Sequence, residues 1–341
     1  QLPTNRKCGG GLMSFMLLGI LNSQAAAGGW DPSTYAAYSL ISADDNSDMA
    51  EINGTVVIWR SKNTYWRQTG GPGSSWSSYP TDNQVGGMGA NANVFVAIPN
   101  DGNPQHLRVS PTAAYNSWVT VPSSYAYWNV KRGVIADKLD PNAWYTVAAV
   151  SRVDSEFSAY SLNNGQTNAG SLSYAQQSHA LGDWARSSTE WMIIPAYSNQ
   201  NQNDFVYWTG TGASWTQRTG SLNWNDGGRS VTSDGTNFYG TRGNSKQTWK
   251  RTGTNTFTTA VNPTNVAGES ILYYAFGKFL YWQTNIASYW YSDTWDGGWT
   301  QVSTGSVKFT TDTRRNLAIT SDSMGKVYAM RKDVDGYIVI G

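Results

Sequence analysis

The side chains of this chain that could do covalent chemistry are few and scattered. His106 and His179 stand alone, without the HExxH or Cys/His spacing that a zinc site needs. Cys8 is the single cysteine, which excludes an intrachain disulfide framework. No Walker loop and no G-x-S-x-G elbow occurs, and Gly71-Pro72-Gly73-Ser74-Ser75 reads as a hairpin turn. The glutamates are Glu51, Glu156, Glu190 and Glu269. Glycoside hydrolysis asks only for two suitably spaced carboxylates, and 23 acidic residues supply accidental pairs. Asp44, Asp45 and Asp48 form the densest acidic cluster, which reads as a solvated turn before it reads as a calcium-binding one. No catalytic residue, metal ligand or cofactor follows, and the chain reads as a non-enzyme.

Binding chemistry is better supplied. Trp and Tyr rings stack on the C–H face of a pyranose, while nearby amides and carboxylates hold its hydroxyls. Aromatics in turns are better placed for this than those in strand centres. The candidate ligand-binding residues are Trp224 and Asp226, Trp290, Trp295 and Asp296, and Tyr125 and Tyr127.

These residues sit between short aromatic segments that read as strands. The chain has 17 Trp, 20 Tyr and 35 Gly, with Ser, Thr and Asn throughout. Aromatic and β-branched residues favour strands, and Gly, Asn, Asp and Ser favour turns. One phrase recurs, Trp followed shortly by Thr-Gly, at Trp66, Trp215, Trp249 and Trp299, with a weaker copy at Trp118. Upstream strands such as Val56–Trp59, Phe205–Trp208 and Phe279–Trp282 pair with these phrases as hairpins. Leading strands fall near residues 57, 95, 145, 191, 238, 280 and 327, a period of about 45 residues that suits one four-stranded propeller blade. The expectation is an all-β, β-propeller-like ring of six to seven Trp/Tyr-rich blades spanning residues 36–341. Its last unit is short, so Gly336–Ile340 should close the ring on a strand from residues around 36–42. The regular Trp residues should be core, which leaves function to the off-register turn aromatics.

Net charge is +1 and the cations are scattered, so nothing points to nucleic acid or an anionic membrane. Residues 12–21 form the one apolar run of note, too short to span a bilayer. Residues 1–12 read as a non-native or untranslated extension before a start at Met13, and 13–35 as an apolar leader with a Gly-rich linker. The competing reading is a secretory signal cleaved near Ala27.

Two resemblances add to this. Thr294-Trp295-Asp296-Gly297-Gly298-Trp299-Thr300-Gln301 resembles the Asp-box turn of sialidases, but departs from it at the terminal Trp. Asn225-Asp226-Gly227-Gly228 is a weaker echo, and no glutamate sits in a sialidase-like phrase. From Met13, MSFMLLGILNSQAAAGG resembles the leader of tail-associated virion proteins of tailed bacteriophages. That resemblance implies a virion appendage that meets other virion proteins through residues 13–27 and turns its propeller loops to the host surface, with glycan as a ligand. Oligomerisation is left open. The alternatives are a secreted or cell-surface lectin-like propeller and a sialidase-like glycoside hydrolase.

Overall fold

The computed structural model describes residues 30–39, 48–59, 64–80, 85–90, 93–99, 106–122, 134–136, 144–149, 156–161, 170–174, 179–198, 204–208, 216–222, 228–243, 245–310, 318–321, 325–334 and 336–341. These residues form seven antiparallel sheets of four strands each, the blades of a β-propeller. Blade 1 holds Asp48–Ile52, Thr55–Trp59, Thr64–Gln68 and Ser77–Pro80. Blade 2 holds Val85–Ala90, Phe95–Pro99, His106–Ser110 and Val119–Pro122. Blade 3 holds Val134–Ala136, Trp144–Ala149, Glu156–Ser161 and Gly170–Tyr174. Blade 4 holds His179–Arg186, Trp191–Ser198, Asp204–Trp208 and Thr216–Thr219. Blade 5 holds Gly228–Ser233, Phe238–Arg242, Gln247–Arg251 and Phe257–Val261. Blade 6 holds Ser270–Ala275, Lys278–Gln283, Ser288–Ser292 and Thr300–Ser303. Blade 7 takes Ala318–Ser321, Lys326–Met330 and Gly336–Ile340 from the chain's end, and Tyr35–Ser39 from its beginning.

The closing strand is where the repeat predicts it. Tyr35–Ser39 runs antiparallel to Gly336–Ile340, with Tyr35 opposite Ile340 and Ser39 opposite Gly336. Docking begins earlier than residue 36, because Trp30 donates from its indole N–H to the Ile340 carbonyl and Pro32 is buried. Residues 30–35 therefore belong to the ring and not to a linker. Residues 1–29, with the leader, lie outside the described residues.

The strands near 57, 95, 145, 191, 238, 280 and 327 are the second strands of all seven blades, not the leading ones. A first strand precedes each, and first strands touch between blades 1 and 2, 2 and 3, 4 and 5, 5 and 6, and 7 and 1. The Trp phrase also merges two positions. Trp66 and Trp249 lie in third strands, while Trp118 and Trp299 stand immediately before fourth strands. Trp215 lies outside the described residues. Of the phrase tryptophans, Trp249 is fully buried and Trp66, Trp118 and Trp299 are half-buried.

Strand alternation distributes the core among the seams between blades. Val56 and Ile58 pack with Tyr328 and Tyr337 of blade 7, while Val57 between them packs with Phe95 of blade 2. Met192, Ile194, Phe238 and Trp249 fill the seam of blades 4 and 5, and Leu280, Trp282, Val327 and Ile338 that of blades 6 and 7.

Polar side chains stitch the same seams. Near the axis, Ser230 and Thr232 of blade 5 accept the backbone N–H groups of Leu272 and Tyr274 of blade 6. Asp183 of blade 4 accepts the N–H of Val231 in the same manner. Farther out, in blades 1, 5, 6 and 7, the second residue of the third strand carries a hydroxyl that reaches the next blade. Tyr65 donates to Ala113 O, Thr248 to Trp295 O, Tyr289 to Pro32 O and Tyr337 to Gln68 Oε1. In blades 1, 2, 5 and 6 the last residue of the third strand, Gln68, Ser110, Arg251 and Ser292 in turn, is a buried polar group bonded into its own following turn.

One prediction arises here. Tyr289 is fully buried and its hydroxyl lies 2.7 Å from the Pro32 carbonyl. Tyr289→Phe should cost about 1–3 kcal/mol, because it strips a buried acceptor of its donor. Urea denaturation of both proteins measures this, and an unchanged midpoint would contradict it.

Candidate functional site

Of the expected ligand-binding residues, the structure describes Trp290, Trp295 and Asp296. Trp224, Asp226, Tyr125 and Tyr127 lie outside the described residues. Trp290 is no turn residue. It lies mid-strand in the third strand of blade 6, is 7% exposed, and packs with Tyr281 in the seam toward blade 5. The alternation of Tyr289-Trp290-Tyr291 sends its ring inward, opposite to Tyr289. Trp295 and Asp296 do occupy a turn, between the third and fourth strands of blade 6, with Trp295 half-buried and Asp296 exposed.

That turn is held firmly. Ser292 Oγ donates to the Gly297 carbonyl and accepts from the Thr294 N–H, and Thr294 Oγ1 also donates to Gly297 O. Gly298 takes the left-handed conformation, φ +65°, that the turn requires. Thr248 of blade 5 fixes the Trp295 carbonyl from across the seam. The Trp295 ring lies 6.3 Å from that of Tyr239, tilted by 43°. Tyr239 in turn meets Phe279 edge-on at 4.8 Å, and Lys250 sets its ammonium 5.4 Å from the Tyr239 ring centre.

Beneath Trp295 lies a polar pair, Asp234 and Tyr239. Asp234 sits in the turn after the first strand of blade 5. Its Oδ1 accepts the N–H groups of Thr236 and Asn237, and its Oδ2 accepts the Tyr239 hydroxyl at 2.7 Å. Burial opposes its charge, but the Asn237, Tyr239 and Thr236 donors outweigh it and hold the carboxyl below its usual range. Burial, and then the bond to Asp234, push the Tyr239 phenol well above its ordinary value. A nucleophilic tyrosine needs the opposite shift. The signal for this pair was Asp234-Gly235-Thr236, an Asx-turn sequence followed by an aromatic strand.

At the rim, Lys278 Nζ pairs with Asp293 Oδ1 at 2.6 Å, with Asp293 mostly exposed. The turn thus offers a half-buried indole flanked by Asp293 and Asp296, on a base of aromatic rings that cannot shift freely. It can stack on an apolar ring face and accept hydrogen bonds from hydroxyls.

Glu51 and Glu190 have structural partners. Glu51 is buried and accepts the Gly54 N–H of its own hairpin turn. Glu190 pairs with Arg251 at 2.6 Å across the seam of blades 4 and 5. Asp44 and Asp45 lie outside the described residues. Among the described residues, no group of three or more His, Cys, Asp or Glu side chains could hold a metal ion. No helix among them is long and apolar enough to cross a membrane.

No family profile matches the chain, and no curated protein matches it by sequence. Solved structures do resemble it. Catalytically inactive virginiamycin B lyase from Staphylococcus aureus with quinupristin aligns at a TM-score of 0.65 and 8% identity, over 90% of this chain and 99% of that one. YCF48 from Cyanidioschyzon merolae aligns at 0.60 and 11% identity, over 90% and 98%. YCF48 bound to a D1 peptide aligns at 0.60 and 9% identity, over 90% and 94%. At such identities the likeness is one of fold, and the ring of this chain is a β-propeller like theirs.

Proposed function

We propose that the chain is a non-enzymatic recognition protein, a virion appendage whose propeller turns bind host-surface glycan. The turn of Trp295 and Asp296 carries the reading. Its indole is half-exposed on a fixed backbone, and two carboxylates flank it. Such a site meets a sugar with little ordering cost, because the ring is already placed. Tyr239 and Asp234 act as support beneath it, consistent with their opposed shifts. The virion setting rests on the phage-like leader from Met13, which lies outside the described residues.

Trp295→Ala tests the site. The full chain and the variant are titrated calorimetrically with oligosaccharides released from bacterial surface polymers. The variant is expected to bind at least about tenfold more weakly, the equivalent of about 1.4 kcal/mol. Its denaturation midpoint should change little, since Trp295 is only half-buried. Equal affinity in the two proteins would overturn the assignment.

A further inference from the structure

A second aromatic surface lies at the seam of blades 1 and 2, and no candidate residue from the sequence falls in it. In the third strand of blade 1, Tyr65 and Arg67 project to the same side. Their cross-strand partners Tyr79 and Ser77 share that side. The turn before the fourth strand of blade 2 is laid against them. Tyr65 donates its hydroxyl to Ala113 O, Trp118 donates its indole N–H to Tyr65 Oη, and Arg67 donates Nε to Thr112 O. Ser110 Oγ accepts the Thr112 and Ala113 N–H groups, so the turn is braced from both blades.

This bracing presents Tyr115 outward, 49% exposed and stacked on Tyr79 at 6.2 Å and 22°. Tyr79 rests on Tyr65 at 5.2 Å, so the exposed ring tops a column of three. A ring this exposed on a turn this firmly braced is already placed to stack on a ligand.

Its charge differs from that of the Trp295 turn. Residues 64–80 and 106–122 contain Arg67, Arg108 and His106 but no Asp or Glu. Arg108 pairs across its sheet with Thr120, two residues beyond Trp118, so all three share the side turned to Tyr65. Its Nε is buried with no acceptor among the described residues.

We propose that this seam binds an acidic saccharide, with Tyr115 stacked on the pyranose face and the sugar carboxylate drawn to the guanidinium of Arg67. This rests on the glycan reading above and divides it by charge. The Trp295 turn, flanked by Asp293 and Asp296, suits neutral sugar hydroxyls, and the Tyr115 seam suits a uronic-type acid. Planar, two-pronged donation is what arginine offers a carboxylate.

The test titrates the full chain with trigalacturonate and with neutral galactotriose, by calorimetry at low and high salt. Wild type is expected to prefer the acid, with a preference that shrinks as salt screens it. Tyr115→Ala should weaken the acid at least about tenfold, and Arg67→Gln should abolish the preference, since a charged hydrogen bond is lost. Arg67→Lys keeps the charge and should retain part of it, while Trp295→Ala should leave the acid untouched. Wild-type affinity for the acid in Tyr115→Ala and Arg67→Gln would overturn the proposal, as would equal affinity of wild type for the two sugars. If Trp295→Ala alone loses binding, the glycan reading stands without this seam. If wild type binds neither sugar, both fall.

Discussion

Replacing Gly336 with alanine is expected to loosen the ring at its closure. Gly336 opens the third strand of blade 7 and faces Ser39 of the closing strand. A Cβ there would lie 2.1 Å from the Tyr38 carbonyl oxygen and 3.0 Å from Ser39 Cα. Both are backbone atoms of a paired strand, so neither can rotate aside. The closing strand must move away, and with it the contacts it makes. Tyr38 stacks on Tyr337 at 5.2 Å, and the Arg331 guanidinium reaches Tyr38 O. Overpacking of this kind costs about 1–3 kcal/mol, and more where backbone must yield. The measurement is a denaturant midpoint together with hydrogen exchange of the Tyr35–Ser39 amides. The midpoint should fall, and those amides should lose protection before the rest of blade 7. Unaltered exchange along Tyr35–Ser39 would mean that closure does not depend on this close approach.

The largest single loss of stability should come from Trp249→Ala. The indole is fully buried in the third strand of blade 5, edge-on to Phe257 at 5.4 Å. It lies so close beneath Gly240 that a Cβ there would come within 2.6 Å of the ring. It also packs with Met192 and Ile194 of blade 4, so the void would open in a seam and not inside one sheet. Removing a buried Trp side chain costs about 3–5 kcal/mol. Hydrogen exchange should show blades 4 and 5 losing protection together, alongside a lower denaturation midpoint. Loss confined to blade 5 would contradict the picture of cores shared across seams.

The architecture was legible because its second strands are the most apolar and are evenly spaced. Phe238-Tyr239 and Phe279-Leu280-Tyr281-Trp282 are buried on both sides and stand out in any reading. First strands are less legible where they carry small or polar residues. Val85–Ala90 is Val-Gly-Gly-Met-Gly-Ala, and blade 5 begins with Ser230 and Thr232, whose hydroxyls bond the next blade. Trp66 and Trp299 share a phrase but not a position, since a Trp before Thr-Gly suits either the third strand or the start of the fourth. Trp290 was misplaced for a related reason. The polar run after it, Ser292-Asp293-Thr294, marks a turn, but the alternating rings before that run already belong to the strand. The Trp295 turn was visible as a degenerate Asp-box. Tyr115 was not, because the residue that gives it meaning, Tyr79, belongs to the preceding blade.

The strand that closes the ring also sets the order in which the molecule can be finished. Tyr35–Ser39 is made before blades 1 to 6, yet its partner Gly336–Ile340 is made only after them. Blades 1 to 6 draw their strands from consecutive stretches and can form as they emerge, whereas blade 7 must wait until Gly336–Ile340 has been made. Its pairing joins residues from opposite ends of the chain, the kind of non-local contact that slows folding most. Throughout that interval the last-formed blade has an open edge and the first blade lacks its neighbour, so the growing chain is most exposed to mispairing just before it becomes a circle. A permuted chain that begins at blade 1 and carries residues 30–39 after Gly341 would make blade 7 contiguous and shorten that wait.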